Sequence, residues 1–94
     1  MSNRYAVLSE IFKSISHPDR LAIIQLMCSC QRMTVKSIYE KLKMEQPIVS
    51  RHLSIMRKSG LLRREQEGSN TYYCLNKENE TASSLVKSFK VFFD

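Results

Sequence analysis

Three groups of residues could carry chemistry: a polar and basic run from Gln46 to Gly60, three cysteines, and two histidines. The run Gln46-Pro47-Ile48-Val49-Ser50-Arg51-His52-Leu53-Ser54-Ile55-Met56-Arg57-Lys58-Ser59-Gly60 reads as one helix with two unlike faces. Proline is tolerated in the first helical turn, where its missing N–H would be unpaired anyway, so Pro47 sets the start near Glu45 or Gln46. Gly60 falls where a left-handed C-terminal cap belongs, so the helix stops there. At about 100° per residue, Val49, Leu53 and Met56 fall on one line, widened to one side by Ile48, His52 and Ile55. The opposite face carries Pro47, Arg51, Ser54 and Lys58, flanked by Ser50 and Arg57. A helix of this length spans about 21 Å, and its diameter of about 10–12 Å fits a B-DNA major groove about 12 Å wide. Small hydroxyls permit close approach and arginine supplies bidentate reach. An ordinary amphipathic helix with a solvated basic face has the same pattern, and this segment alone does not separate the two.

The flanking chain does. Asn3 to Ile15 reads as a first helix, with Tyr5, Leu8, Phe12 and Ile15 on a stripe and Val7 and Ile11 beside it, a face wider than one small core needs. Ser16-His17-Pro18-Asp19-Arg20 looks like a helix restart, with a Ser or His cap, proline in the first turn and an acid near the positive end of the dipole. Leu21, Ile24, Met27 and Cys28 continue that second helix as a buried face. Thr34 opens a third, shorter helix capped by its hydroxyl; Val35, Ile38, Tyr39 and Leu42 point inward, and Lys36, Glu40, Lys41 and Lys43 point out. Met44-Glu45 leaves only a tight turn before the Gln46–Gly60 helix, which is the helix-turn-helix pattern. After Gly60 the period changes. Leu61 to Glu65 and Thr71 to Leu75 read as two strands around a Gly68-Ser69-Asn70 tip, a hairpin placed as a "wing". Its candidate contacts with a backbone or minor groove are Arg63 or Arg64 at the base and Ser69, Asn70 and Thr71 at the tip.

Lys77 to Phe93 reads as a last helix, with Ala82, Leu85, Val86, Phe89, Phe92 and Phe93 on one strongly apolar stripe. Left bare, such a stripe is an aggregation liability, since a soluble monomer rarely exposes more than a few hundred Å² of contiguous apolar surface. The expectation is therefore a homodimer, with residues 1–15 and 77–94 as the dimerisation helices and Tyr5, Leu8, Phe12, Leu85, Val86, Phe89, Phe92 and Phe93 at the interface. A twofold pair sets two reading helices about 34–36 Å apart, one DNA turn, and selects an inverted repeat in double-stranded DNA.

Composition agrees with this assignment. The 94 residues make one domain, 1–94; 43% are hydrophobic and 26% charged, as in a soluble globular protein. The net charge of +6 favours a polyanionic partner, and it is concentrated: Arg32 to Arg64 holds nine Lys or Arg against two Glu, a net +7. No apolar run is long enough to span a bilayer, no signal-peptide pattern opens the chain, and an odd number of cysteines argues for a reducing compartment; the expectation is a cytoplasmic protein with no membrane partner. The sequence shows no nucleophile–base pair, no phosphate-cradling glycine loop and no carboxylate cluster, so an enzyme is not expected.

Four segments in order resemble the ArsR/SmtB family of small dimeric winged-helix repressors, over about residues 8 to 76. Ser16-His17-Pro18-Asp19-Arg20-Leu21 is similar to the family's Asp/His-Pro-x-Arg-Leu motif at the start of its second helix. Gln46-Pro47-Ile48-Val49-Ser50-Arg51-His52-Leu53 is similar to its Gln-Pro/Ser-x-Val-Ser-x-His-Leu reading helix. Arg57-Lys58-Ser59-Gly60-Leu61-Leu62 and the wing ending Gly68 … Tyr72-Tyr73-Cys74-Leu75 complete the match. The resemblance implies a mainly α fold with a small β-hairpin, a winged helix-turn-helix in the order α-α-α-α-β-β-α. It also implies a transcriptional repressor in which Gln46, Ser50 and Arg51 meet the major groove. Glu45 stands where the family has Ser or Asp, and Ile48 where it commonly has Ser or Thr. Both changes remove a small hydroxyl, one from the cap and one from a DNA contact, although Ile48 is able to touch a thymine methyl.

The full set expected at DNA is Thr34, Lys36, Gln46, Pro47, Ile48, Ser50, Arg51, Ser54, Arg57, Lys58, Arg64, Ser69, Asn70 and Thr71. No cofactor or metal is expected. One family metal site uses a Cys-x-Cys pair where this chain has Thr34 and Lys36; the other uses Asp, His and Glu ligands on the last helix, where this chain has no histidine. The thiol candidates that remain are Cys28, Cys30 and Cys74, read mainly as small buried hydrophobes. On a continuous helix Cys28 and Cys30 lie about 200° apart, so they would converge on an ion only where the helix ends between them. His52 is expected to be a hydrogen-bonded packing residue. Two alternatives stay open at this level: a winged-helix module that binds another protein, and a thiol- or metal-responsive form of the same repressor.

Overall fold

Caps and short turns divide the chain much as the residue chemistry demands. The computed structural model describes residues 2–29 and 31–93. The elements run α1 (Ser2–Ile15), α2 (Pro18–Cys28), β1 (Met33–Thr34), α3 (Val35–Leu42), α4 (Gln46–Lys58), β2 (Leu62–Glu67), β3 (Asn70–Leu75) and α5 (Glu80–Phe93).

Each helix start has a local cause. His17 is the cap of α2: its backbone is extended and its Nδ1 accepts from the Asp19 N–H at 3.0 Å, with Pro18 in the first turn. The Thr34 hydroxyl accepts from the Ser37 N–H at 3.1 Å to open α3. Lys43 then turns the chain in the left-handed region (φ 55°), and the Met44 N–H reaches back to the Tyr39 carbonyl at 3.0 Å, so two residues separate α3 from the cap of α4. That cap, Glu45, accepts through its backbone carbonyl only and makes no side-chain capping bond. Its carboxylate is one methylene longer than the side chains that cap well, which leaves an improvement available. Glu45→Asp keeps the charge and brings an oxygen within reach of the Ile48 N–H. We expect it to raise the stability of the protein by about 0.5–2 kcal/mol, read as a shift of the denaturant midpoint without change in slope.

The far end of α4 is fixed equally tightly. The Gly60 N–H donates to the Arg57 carbonyl at 3.0 Å and the Leu61 N–H to the Met56 carbonyl at 3.1 Å, the paired bonds of a Schellman stop, with Gly60 at φ 92°. A Cβ at Gly60 would stand 2.7 Å from Asn79 Nδ2. The Gly60 carbonyl accepts from Asn76 Nδ2 at 3.1 Å and Asn79 Nδ2 at 3.4 Å, so the end of α4, the foot of the wing and the start of α5 meet at one residue.

Two of the expected boundaries shift. The last helix begins at Glu80, not Lys77: the Asn76 carboxamide accepts from the Glu78 N–H at 3.3 Å, and Asn79 caps the Ala82 N–H at 3.1 Å, so the intervening residues form a turn. The hairpin is a three-stranded antiparallel sheet in the order β1-β3-β2, because Met33 and Thr34 pair with Tyr73 and Tyr72. At the tip Glu67 pairs with Asn70 across Gly68-Ser69, with Gly68 at φ 63°, as a two-residue hairpin turn requires.

The core gathers Ile11 and Ile15 of α1, Ile23, Ile24 and Met27 of α2, Ile38 of α3, Val49, Leu53 and Met56 of α4, and Leu61 and Leu62, joined by Met33, Tyr73, Ala82 and Val86. Val86 was expected on the outward stripe of the last helix, but it is buried in the protomer's own core, because α5 lays that edge against α2. Leu85, Phe89 and Phe93 are partly buried against the same core. Tyr5 (66% exposed), Phe12 (47%) and Phe92 (79%) remain outside it, together with Val7 and Val91.

Candidate nucleic-acid interface

Helix α4 packs through Val49, His52, Leu53 and Met56, which leaves Gln46, Pro47, Ile48, Arg51, Arg57 and Lys58 exposed and Ser50 and Ser54 half-buried. Ile48, expected to widen the inward face, is 45% exposed. The inward edge is closed by His52 one turn further on, so Ile48 sits on the rim of a depression shared with His17, Arg20, Arg51, His52 and Ile55. Gln46 Nε2 donates to Ser50 Oγ at 2.7 Å, which braces two of the expected reading residues against one another on the exposed surface. Among the described residues Lys36, Arg51, Arg57, Lys58 and Arg64 make no ion pair, so their charge is available to an anion.

Apart from Arg64, the cations on the wing strands and just before β1 are paired. Arg32 reaches Glu65 at 3.5 Å and Glu67 at 3.2 Å and lies over the Tyr72 ring at 4.0 Å from its centroid; Arg63 reaches Glu78 at 3.4 Å and Glu65 at 3.9 Å. Two of the nine cations in the basic stretch therefore brace the sheet. The sequence gives no local signal for this, since Arg32 and Glu67 are 35 positions apart. Ser69 and Asn70 are exposed at the tip, and Thr71 Oγ1 donates to Gln66 Oε1 at 3.1 Å, so the tip is internally bonded. Thr34 is half-buried and its hydroxyl oxygen is already the cap of α3, which leaves its proton as the group able to meet a phosphate.

The partners of His52 favour its neutral form. The residue is 7% exposed; Arg20 Nε donates to its Nδ1 at 3.0 Å, while Arg20 Nη1 reaches the Lys13 and Ser14 carbonyls at 3.5 and 3.4 Å. An arginine donor at Nδ1 requires a lone pair there, so the ring is neutral and carries its proton on Nε2, 3.4 Å from Asp19 Oδ2. Burial holds the His52 pKa below the usual histidine value, helped by His17 and Arg20 and opposed by Asp19. His17, Asp19 and His52 place possible ligand atoms within 4.8 Å of one another. The donor set does not suit an ion: the His52 nitrogen that would bind it holds the proton, and freeing that lone pair breaks the bond to Arg20.

Of the thiols, Cys28 is half-buried at the end of α2 and Cys30 lies outside the described residues. Cys74 is buried on β3, and burial, with the Glu65 carboxylate beside it, pushes its thiol pKa up. That is the reverse of the activated thiolate a reactive site needs.

The comparisons with known proteins agree with this geometry. Residues 17–64 match the family described as "Bacterial regulatory protein, arsR family". An uncharacterized HTH-type transcriptional regulator of Methanocaldococcus jannaschii is 36% identical over 84 residues, covering 88% of this chain and 94% of that protein. The crystal structure of the transcriptional repressor PagR of Bacillus anthracis superposes with a TM-score of 0.84 at 29% identity, covering 95% of this chain and 99% of that one. A homodimeric winged helix-turn-helix DNA-binding domain from Mycobacterium bovis gives 0.86 at 22% identity, covering 99% and 83%, a likeness of fold.

Proposed function

This chain belongs to the arsR family of bacterial regulatory proteins, winged helix-turn-helix regulators of transcription, and we propose that it acts as a homodimeric repressor on an inverted-repeat operator. The observation that carries the reading is the face of α4: exposed Gln46 and Arg51 with half-buried Ser50 and Ser54 between them, backed by Val49, Leu53 and Met56 at the core. In this reading Arg51 and Gln46 address base edges. Ser50, Ser54, Lys58 and Lys36 hold phosphates, and Arg64, Ser69, Asn70 and Thr71 hold the flanks. Repression follows from occupancy, since a dimer seated on a promoter excludes polymerase. The PagR likeness supports repression over activation, and the bare apolar side chains of α1 and α5 support the dimer. No helix among the described residues is long and apolar enough to cross a membrane.

Selection of bound sites from a random duplex library tests this directly. The expected product is a palindromic consensus with half-sites about 10–10.5 base pairs apart, centre to centre. Enrichment of no sequence would refute the reading and favour a winged-helix module that binds protein.

A further inference from the structure

The His52 ring is held from both of its nitrogens by groups outside its own helix. Arg20 Nε is 3.0 Å from Nδ1 and Asp19 Oδ2 is 3.4 Å from Nε2. His17 packs its ring beside it at 4.6 Å between centroids. Arg20 is in turn hung on the Lys13 and Ser14 carbonyls at the end of α1. His52 lies one residue from Arg51 and two from Ser50, so the rotation of α4 about its axis and the aim of those side chains are set where this ring is gripped.

We propose that Asp19 and Arg20 are positioning residues for DNA reading, acting through the neutral His52 ring to fix the orientation of α4. The proposal rests on the DNA-binding reading above. Its chemistry has a definite sign. A proton on Nδ1 would face the Arg20 N–H, and that bond must then open; the folded state therefore favours the neutral ring. The titratable and charged groups facing the ring are His17, Asp19 and Arg20 from the start of α2, and Arg51 shares the depression from α4. His17 and Arg20 resist charging of His52, and Asp19 alone assists it. The clamp is intact above histidine's ordinary value of about 6.5 and is lost only as the pH falls through the lowered value of the buried ring. Simple electrostatics predicts the opposite for DNA binding, because each added proton makes the protein more cationic and tightens its hold on phosphate.

The test is operator affinity of the full-length protein, at constant salt, from about pH 7.5 down to the lowest pH at which the protein stays folded. Wild-type affinity falls several-fold on acidification. His52→Asn offers Oδ1 to Arg20 without titrating, and its affinity is flat or rises. Asp19→Asn removes the one group that assists the charged ring, so the loss of affinity moves to lower pH; a role in stability alone would not move that midpoint. Wild-type affinity that holds or rises on acidification overturns the clamp, as does a folded His52→Asn protein that weakens in parallel with wild type. Absence of operator binding at about pH 7.5 overturns the DNA reading and the clamp's part in it, whereas binding that ignores pH overturns the clamp alone.

Discussion

Phe92→Glu is expected to convert the protein from dimer to monomer and to lower operator affinity by about 10²–10⁴-fold. Phe92 is 79% exposed, and Val91, beside it, is 81% exposed. Neither is used by the protomer's core, so a carboxylate at position 92 costs the isolated chain little. Across a twofold interface the same carboxylate is buried without a partner, and each copy contributes one. A reading helix that engages a single half-site then loses the gain from linking two binding events. Sedimentation reports the change of mass, titration on the operator the change of affinity, and an unaltered thermal midpoint at low concentration the intact protomer. A wild-type chain that sediments as a monomer while binding its operator tightly would count against the twofold arrangement. The same substitution at Val86 has a different meaning: that side chain is 8% exposed within the protomer, and a charge there unfolds the chain rather than dissociating it.

The second large effect is at Arg51. Removing a guanidinium that reads a base edge costs about 1–3 kcal/mol on the operator and relaxes the preference at one base step, with little change on random duplex. Lys58→Ala, about two turns further along the same face, behaves differently. It weakens operator and random DNA alike, and lowers the slope of log K against log salt by about one. The two variants measured side by side separate a reading residue from a phosphate anchor. Equal losses on both DNAs for both variants would contradict the assigned roles.

Much of this protein could be read from local chemistry. Pro47 and Gly60 bracket the α4 helix through their own backbone preferences, while Thr34 caps the helix before it and His17 restarts the chain after α1 through side chains that accept from backbone N–H groups two or three residues on. What the sequence hid depends on distant partners. A two-residue strand at Met33-Thr34 exists only because Tyr72 and Tyr73 lie beside it, and no periodicity is visible in two residues. The early start expected for the last helix overlooked two asparagines that bond elsewhere, Asn76 and Asn79, both of which donate to Gly60. Ile48 lies about 100° from Val49, at the edge of the apolar face, and that edge is closed by His52 instead, which leaves Ile48 45% exposed while Val49 beside it is fully buried. The candidate site divides the same way. Exposure of Arg51 and Lys58 follows from helical angle, whereas Gln46, inward by angle, is singled out by the family resemblance and is exposed at the first turn of α4. The neutralisation of Arg32 by Glu65 and Glu67, and the grip of Arg20 on His52 across 32 positions, are tertiary facts.

In the proposed function the exposed face of α4 reads DNA sequence. This role is tested most directly by titrating the full-length protein, at one fixed salt concentration, against its selected operator and against a scrambled duplex of equal length and composition. A helix that reads sequence binds the operator at least about 10³-fold more tightly, as specific sites are bound. Equal affinity for the two duplexes would contradict that role.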